Sequence, residues 1–363
     1  MRLLVQGAGL RKLLDPISRG RSDLVFDMNK LSIVTALDDM SAFDRILADP
    51  AFGEVETHPQ TGTYGRAYYP AVHGDDFHNL SFAVCFEGVP QVVVLCSLIG
   101  KTLGLHGLPA RLFARPGSPP DLHRSAIRSA FAHIDKVASA NDVHHVELRE
   151  PATADLSPIG EASIAREAQA APSLVGRVDL TAEPVQWRKA LRKSFRSLVN
   201  WGRDNLAITY FNRFDCDAEK FDQYRLFHAE IAGRVTRPKK SWDVMQDWVA
   251  AGHGELICGS LNGKLVAASL FIDGTETSIY MSGVYDRSLE KPLAHYMVWH
   301  GIERAQARGM KHLHLGDIHL KGTVDDKRYA IGYFSRGFAT NIDTYLTWRW
   351  RVVSAAFPAR DVA

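Results

Sequence analysis

The order of predicted elements occurs twice along the chain, and a duplicated order restricts the fold more than any single motif does. In the N-terminal half, residues 80–86 read as a strand, Glu87-Gly88 as a turn and residues 91–98 as a returning strand. A third strand follows at 102–105, then a Pro/Gly-rich loop from Pro109 to Pro120, helical spacing over 122–138 and a strand at 143–148. The C-terminal half repeats this. Residues 254–260 read as a strand, Asn262-Gly263 is a strong short-range hairpin signal, and 265–272 is the returning strand. A third strand at 276–284, a loop from Tyr285 to Pro292, a helix over 293–308 ended by Gly309 and a strand at 312–315 complete the copy. The copies are displaced by roughly 165 to 175 residues at low identity, so the order of elements carries the repeat. A meander, loop, helix and strand, twice over, predicts an α/β fold of two tandem domains, each a mixed, mostly antiparallel sheet flanked by helices.

The pattern divides the chain into an N-terminal arm (1–24), a first domain (25–150), a linker (151–172), a second domain (173–355) and a short tail (356–363). The linker is rich in Ala, Ser, Pro and Glu and has room for one short helix at 163–170. The second domain is introduced by three predicted helices, at 183–201, 221–233 and 241–251.

Charge and cysteine usage remove several classes of function. Of 363 residues, 43 are Lys or Arg and 41 are Asp or Glu, a formal net charge of +2. That balance argues against a strongly basic DNA-binding protein and leaves room for a local basic patch. The four cysteines, at 85, 96, 216 and 258, include no C-x-x-C pair, so neither a disulfide framework nor a structural zinc module is expected. Cys85, Cys96 and Cys258 fall in predicted strands and read as core. No apolar run is long enough for a transmembrane segment, and the N-terminus lacks a signal-peptide pattern. With scattered thiols these features suggest a cytoplasmic protein.

Four places could carry chemistry. Arg192, Lys193 and Arg196 crowd one side of the predicted 183–201 helix, with no acid from Val185 to Gly202. Such a cluster neutralises phosphates of coenzyme A, a nucleotide-linked substrate or tRNA, or else is a solvated face. Next, a helix with His228 ends near Gly233, and Arg234, Arg237, Lys239 and Lys240 crowd the loop before Trp242, suiting an anionic ligand. Third, the loop from Tyr285 to Leu293 leads a strand into a helix N-terminus, where free N–H groups and the dipole attract anions. Fourth, His312 and His314 alternate on one strand, with Asp317 beyond Gly316. Two imidazoles and a carboxylate can hold zinc, but no second cluster supplies further ligands, so no metal is expected and Asp317 reads as ending the strand beside a cleft. No G-x-S-x-G, P-loop or G-x-G-x-x-G is present, and a covalent intermediate has no support.

The run from Trp187 to Arg203 resembles the opening of the FemAB-like branch of GNAT N-acyltransferases. Further pieces follow in that family's order: His228 with Ala232, Gly233 and Arg234; Asn262-Gly263 and Ala267; Tyr280 to Tyr285; Ile302, Ala305 and Gly309; Leu315-Gly316-Asp317; Lys327; and Ile331 to Phe338. The resemblance covers about residues 180 to 345 and implies tandem GNAT-like domains. It implies transfer of an acyl or aminoacyl group to an amine, from acyl-CoA, acyl carrier protein or aminoacyl-tRNA as co-substrate, with no tightly bound cofactor. The acceptors it implies are amino sugars or amino acids in envelope polysaccharide or secondary-metabolite synthesis, free or linked to a nucleotide or lipid. The family's glycine-rich pyrophosphate loop is replaced here by Arg287 to Leu293, and its frequent Lys near the C-terminal Phe-x-x-Gly-Phe by Ser335, leaving Arg336 to supply charge. No long paired-helix insertion of the bridge-forming enzymes is visible. On this resemblance Asp317 or His228 takes the amine proton, and Tyr280 or Tyr285 serves the oxyanion or leaving group. Arg287, Ser288, Lys291, Lys327 and Arg336 are then donor-binding candidates, and Arg196, Arg203, Arg234, Arg237 and Trp242 acceptor-binding ones. Besides the tRNA-dependent variant, a non-catalytic GNAT-like binding scaffold is the alternative from another class.

Overall fold

The computed structural model describes residues 30–352. The predicted arm, the whole predicted tail, the first residues of the predicted first domain and the last three of the predicted second domain lie outside the described residues. In chain order the N-terminal half holds β1 (Leu31–Thr35), α1 (Met40–Leu47), α2 (Pro59–His73), β2 (Phe77–Asn79), β3 (Phe82–Phe86) and β4 (Val89–Leu95). It continues with β5 (Ser97–Ile99), β6 (Thr102–Gly104), β7 (Ala110–Ala114), α3 (Pro120–Ala140) and β8 (His145–Pro151). Then come α4 (Pro158–Ile164), β9 (Gln169–Asp179), α5 (Pro184–Ala190), α6 (Phe195–Asn205), β10 (Ala207–Phe211), α7 (Ala218–Ala232) and α8 (Lys239–Ala250). The chain closes with β11 (Gly254–Leu261), β12 (Lys264–Asp273), β13 (Thr277–Tyr285), α9 (Leu293–Ala307), β14 (His312–Ile318), α10 (Asp326–Ser335) and β15 (Asn341–Arg351).

Both predicted hairpins form, and both turn through two residues of positive φ, Glu87-Gly88 (49° and 78°) and Asn262-Gly263 (50° and 79°). The strands make one continuous sheet in the order β1-β3-β4-β7-β8-β15-β9-β14-β13-β12-β11-β10. The last strand joins the halves: β15 pairs antiparallel with β8 from Tyr345 to Arg351 and with β9 from Asn341 to Arg349. Because side chains alternate, one face is apolar at Leu346, Trp348 and Trp350, which pack with Phe131 of α3 and Ile159 of α4. On the same face of the C-terminal half, Leu313 and Leu315 pack with α6 and α9. The opposite face carries α1 on the N-terminal strands and α7 and α8 on the C-terminal strands.

Four local expectations are corrected. The 109–120 loop contains β7, whose alternating Ala-Arg-Leu-Phe-Ala pairs antiparallel with β4 and completes the N-terminal meander. Residues 102–104 instead form a small hairpin with β5. The stretch 151–172 holds α4 and the start of β9; Ser157 caps α4, its side chain accepting from the Gly160 N–H, so this helix starts before the expected 163–170 span. The single helix expected over 183–201 is two, because Leu191 turns extended (φ −55°, ψ 128°) and Arg192 N–H bonds Gly337 O at 2.8 Å. Arg192 and Lys193 therefore lie in the break and do not share a helix side with Arg196.

Candidate functional site

The site begins where two parallel strands part. β13 and β14 pair only at Thr277–His312, Ser278–Leu313 and Ile279–His314. Beyond that point β13 carries an extra residue, since Phe271 pairs with Tyr280 and Leu270 with Ser282, so Met281 bulges. β14 also shifts register between His314 and Asp317, across Gly316 at φ 91°. Ile279 to Ser282 are only half-buried and Gly283 is exposed, so the parted strands leave an accessible opening.

At the end of β13 the chain turns into α9. The Asp286 carboxylate accepts from Ser288 N–H at 3.0 Å and its hydroxyl at 2.6 Å, which, with Lys264 at 3.9 Å, hold it below the usual carboxylate range. Glu290 adopts a left-handed conformation (φ 51°), and Pro292 occupies the N-cap rather than the first helical position. No side chain caps α9 and no acid stands in its first turn, so its positive pole is open to an anion. Arg287 stacks on Tyr285 at 5.6 Å, and Arg287, Ser288 and Lys291 are exposed around this loop. Lys327 opens α10 and Arg336 ends it, both exposed. His295, in the first turn of α9, packs edge-on to Phe195 (4.5 Å), and its Nδ1 is buried without a partner among the described residues.

On the face opposite α9, α7 and α8 bring a second group together. His228 Nδ1 meets Thr236 Oγ1 at 3.2 Å, and its Nε2 lies 3.5 Å from Arg237. Burial, helped by Arg237, pushes the imidazole down to about 4, so it is neutral at neutral pH. Arg237 lies over buried Trp242 at 5.0 Å and donates to Tyr64 Oη at 3.2 Å, a contact from α7–α8 to α2 of the other half. Tyr224 stands edge-on to Trp242; its hydroxyl is fully buried beside Ser282, makes no hydrogen bond of normal geometry, and burial pushes it up to about 12. Tyr280 lies on the other face against Phe271, its hydroxyl beside Ser269 and raised by burial.

Between the helix-covered regions, the middle strands present a polar trough. Asp317 pairs with Arg149 of β8 at 3.1 Å, bridging the halves, and is about one-third exposed. Arg177 pairs with Asp343 at 2.6 Å and its other nitrogen lies 3.1 Å from His312 Nδ1, so a cation already faces that imidazole. Arg111 pairs with Glu56 at 2.9 Å and lies over Tyr345 at 5.6 Å. His314, facing the same trough, has its basicity lowered by burial. Arg149 Nε is buried with no partner among the described residues.

The predicted candidates thus fall into separate groups. Asp317 joins the trough; His228, Arg237 and Trp242 form one cluster; Tyr285, Arg287, Ser288 and Lys291 surround the α9 terminus. Arg234 is exposed just past Gly233, while Arg196 donates to Lys189 O at 3.4 Å and Arg203 pairs with Asp204 on the outer surface. Sequence reasoning missed Tyr64, Tyr224, Arg149 and Arg177, which reach the site from distant segments. Cys85, Cys96 and Cys258 are buried, and burial pushes the thiols of the latter two up to about 12.

A parallel pair that opens past a bulge, followed by a helix with an unguarded N-terminus, is the architecture of a GNAT domain. Residues 187–329 match the family model of the acetyltransferase (GNAT) domain. The described residues have the tandem GNAT fold. The chain is similar to FemX with a TM-score of 0.59 and 10% identity, over 87% of this chain and 96% of that one. It is similar to L-PGS from Bacillus licheniformis with a TM-score of 0.58 and 12% identity, over 86% and 92% of the two chains. A tandem GNAT protein from the clavulanic acid biosynthesis pathway superimposes with a TM-score of 0.52 at 12% identity, over 90% and 99%. No curated protein matches the sequence. Among the described residues no helix is long and apolar enough to cross a membrane.

Proposed function

We propose that the chain is an N-acyltransferase that moves an acyl group from a thioester donor, acyl-CoA or acyl carrier protein, to the amine of an amino sugar or amino acid. The opening between β13 and β14, beside the uncapped start of α9, is the observation that carries this reading. A donor phosphate sits at the helix terminus near Arg287 and Lys291, and the thioester passes between the parted strands. The acceptor lies in the trough, where its amine gives a proton to Asp317, held in place by Arg149. The amine nitrogen attacks the acyl carbon, the C–N bond forms, the C–S bond breaks and the thiolate leaves, taking up a proton from water while Asp317 releases the amine proton to solvent. Tyr224 is a buried donor beside the bulge whose hydroxyl makes no hydrogen bond of normal geometry among the described residues, suited to meet the oxyanion. His228, neutral and held by Thr236, positions Arg237. Envelope polysaccharide or secondary-metabolite synthesis is the setting this chemistry suits.

A thermal-shift panel with acetyl-CoA, longer acyl-CoAs, coenzyme A and UDP-amino sugars, followed by a tRNA binding assay, tests the reading. A ligand at a hundredfold its Kd adds about 2.7 kcal/mol of stability. Stabilisation by an acyl-CoA is expected. Silence toward every coenzyme A with RNase-sensitive activity selects the second reading, an aminoacyl-tRNA donor, which the exposed Arg188, Lys189, Lys193 and Arg196 favour. Silence across the whole panel, tRNA included, selects the non-catalytic scaffold.

A further inference from the structure

A largely apolar cavity of about 270 Å³, partly open to the surface, lies between the halves, walled by α1 and α2 on one side and by β12 and β13 on the other. Its deep walls are Phe43, Leu47, Val55, Leu95, Ile272 and Trp248. Two further lining residues, Ile279 and Met281, tie it to the reaction centre: one is the last residue of β13 paired with β14, the other is the bulge itself. The charged groups of the lining are partnered with one another or with the trough: Asp44 with Arg66, and Glu56 with Arg111. His106, stacked on Tyr69 at 3.7 Å, is pushed down to about 4 by burial and presents a neutral ring. A mainly apolar space whose charged groups are already paired takes an apolar guest in preference to water.

We propose that this cavity holds the acyl chain of the donor, and that the enzyme selects a medium-length chain over acetyl. The inference rests on the acyltransferase reading above, because the chain must enter where β13 and β14 part. At about 30 Å³ per carbon centre, taken from the volume of a liquid water, the space holds roughly eight to ten carbons. Each methylene it buries strengthens binding roughly fourfold, until the end wall is reached. An acetyl group leaves the cavity unfilled.

Gly62 offers a way to close the cavity without disturbing the opening. It lies in the first turn of α2, where a Cβ would meet only the flexible end of Arg66 at 3.3 Å, with Asp44 and Leu47 near 4 Å. Leucine suits a helix interior better than glycine. The experiment is calorimetric titration of the full chain with acyl-CoAs from two to fourteen carbons, and with decanoate alone, for the native protein and Gly62→Leu. The expected result is affinity that rises at least tenfold from acetyl-CoA to decanoyl-CoA and then levels off. Gly62→Leu should remove that gain and leave acetyl-CoA within twofold. Equal affinity for all chain lengths in the native protein overturns the cavity assignment and leaves the donor reading standing. If no acyl-CoA binds, the coenzyme A donor reading fails, and decanoate decides the cavity. Saturable decanoate binding weakened tenfold or more by Gly62→Leu supports it, and no decanoate binding overturns it.

Discussion

The two halves share a hairpin turn and a strand–helix–strand crossover, but they treat the gap between their parallel strands differently. In the C-terminal half β14 pairs with β13 over three residues and then leaves it, and among the described residues no other strand enters on that side. In the N-terminal half β8 is met first by β6, at Thr102–His145 and Leu103–Val146, and then by β7, at Ala110–Leu148 and Arg111–Arg149. The inserted β5–β6 hairpin closes the place that stays open in the other copy. The helices differ in the same sense. α9 has no acid in its first turn, whereas α3 has Asp121 there, which occupies the positive pole. One copy is therefore built to admit a ligand between strands. The other walls the trough, contributing Arg149, Arg111 and Glu56 from its own strands and loops.

The sharpest test of that division compares two carboxylates at matching places on the closing strands. Asp317 is partly exposed and paired with Arg149; Glu150 is buried, accepting from Trp348 Nε1 at 2.7 Å and Ser157 Oγ at 2.6 Å. Asp317→Asn should lower kcat about a hundredfold, the low end of what a positioned base contributes, with an unchanged melting temperature. Steady-state acyl transfer and circular dichroism check both halves of that statement, and undiminished turnover removes Asp317 from the mechanism. Glu150→Ala strands two buried donors and should lower unfolding stability by about 2 kcal/mol, read by urea denaturation. Turnover per folded molecule should then stay near native.

The helix termini give a smaller matched pair. Lys291→Glu places an acid at the open end of α9 and should raise the donor KM about tenfold, the order of one charge-assisted phosphate contact. Asp121→Lys makes the opposite change at α3 and should leave that KM alone. If both substitutions shift the donor KM equally, the assignment of donor binding to one half is wrong.

Much of this contrast lay beyond reach of the sequence, for identifiable reasons. Asn262-Gly263 announces its hairpin because both residues tolerate positive φ, and the crossover helices announce themselves by their spacing. β7 was hidden because its five residues sit between prolines and glycines that read as loop, and missing it made the two copies look alike at the very place where they differ. On the site side, Asp317 and the Tyr285–Leu293 loop were legible because strand ends and helix starts are where backbone groups stand free. Arg149, Tyr64 and Tyr224 were not, since each earns its role through a partner far away in sequence. The basic run at 188–196 was legible as charge but misleading as geometry. The break after Ala190 depends on a hydrogen bond from Arg192 to Gly337, which no local pattern encodes.

The last comparison concerns pH, where the halves should behave alike. His228 in the C-terminal half and His58 in the N-terminal half are each pushed down to about 4, mainly by burial, with Arg237 and His253 respectively assisting. His58 lies against Trp248 at 5.0 Å and takes part in no proposed step. An unfolded histidine takes up a proton below about 6.5. Between that value and about 4 the unfolded chain thus binds more protons than the folded one, and stability must fall as pH falls through this window. Above the window the depressed values cost nothing, and below it the loss is complete. Replacing either histidine by Gln should remove about 1 kcal/mol of the drop between pH 7 and pH 5, after allowance for solvent screening. Denaturant titrations at the two pH values measure it. Because both substitutions flatten the stability profile alike, a difference between them in the pH profile of turnover isolates the part His228 plays through Arg237. If His58→Gln alters turnover as strongly as His228→Gln does, the effect is one of folding, and the positioning role of His228 is refuted.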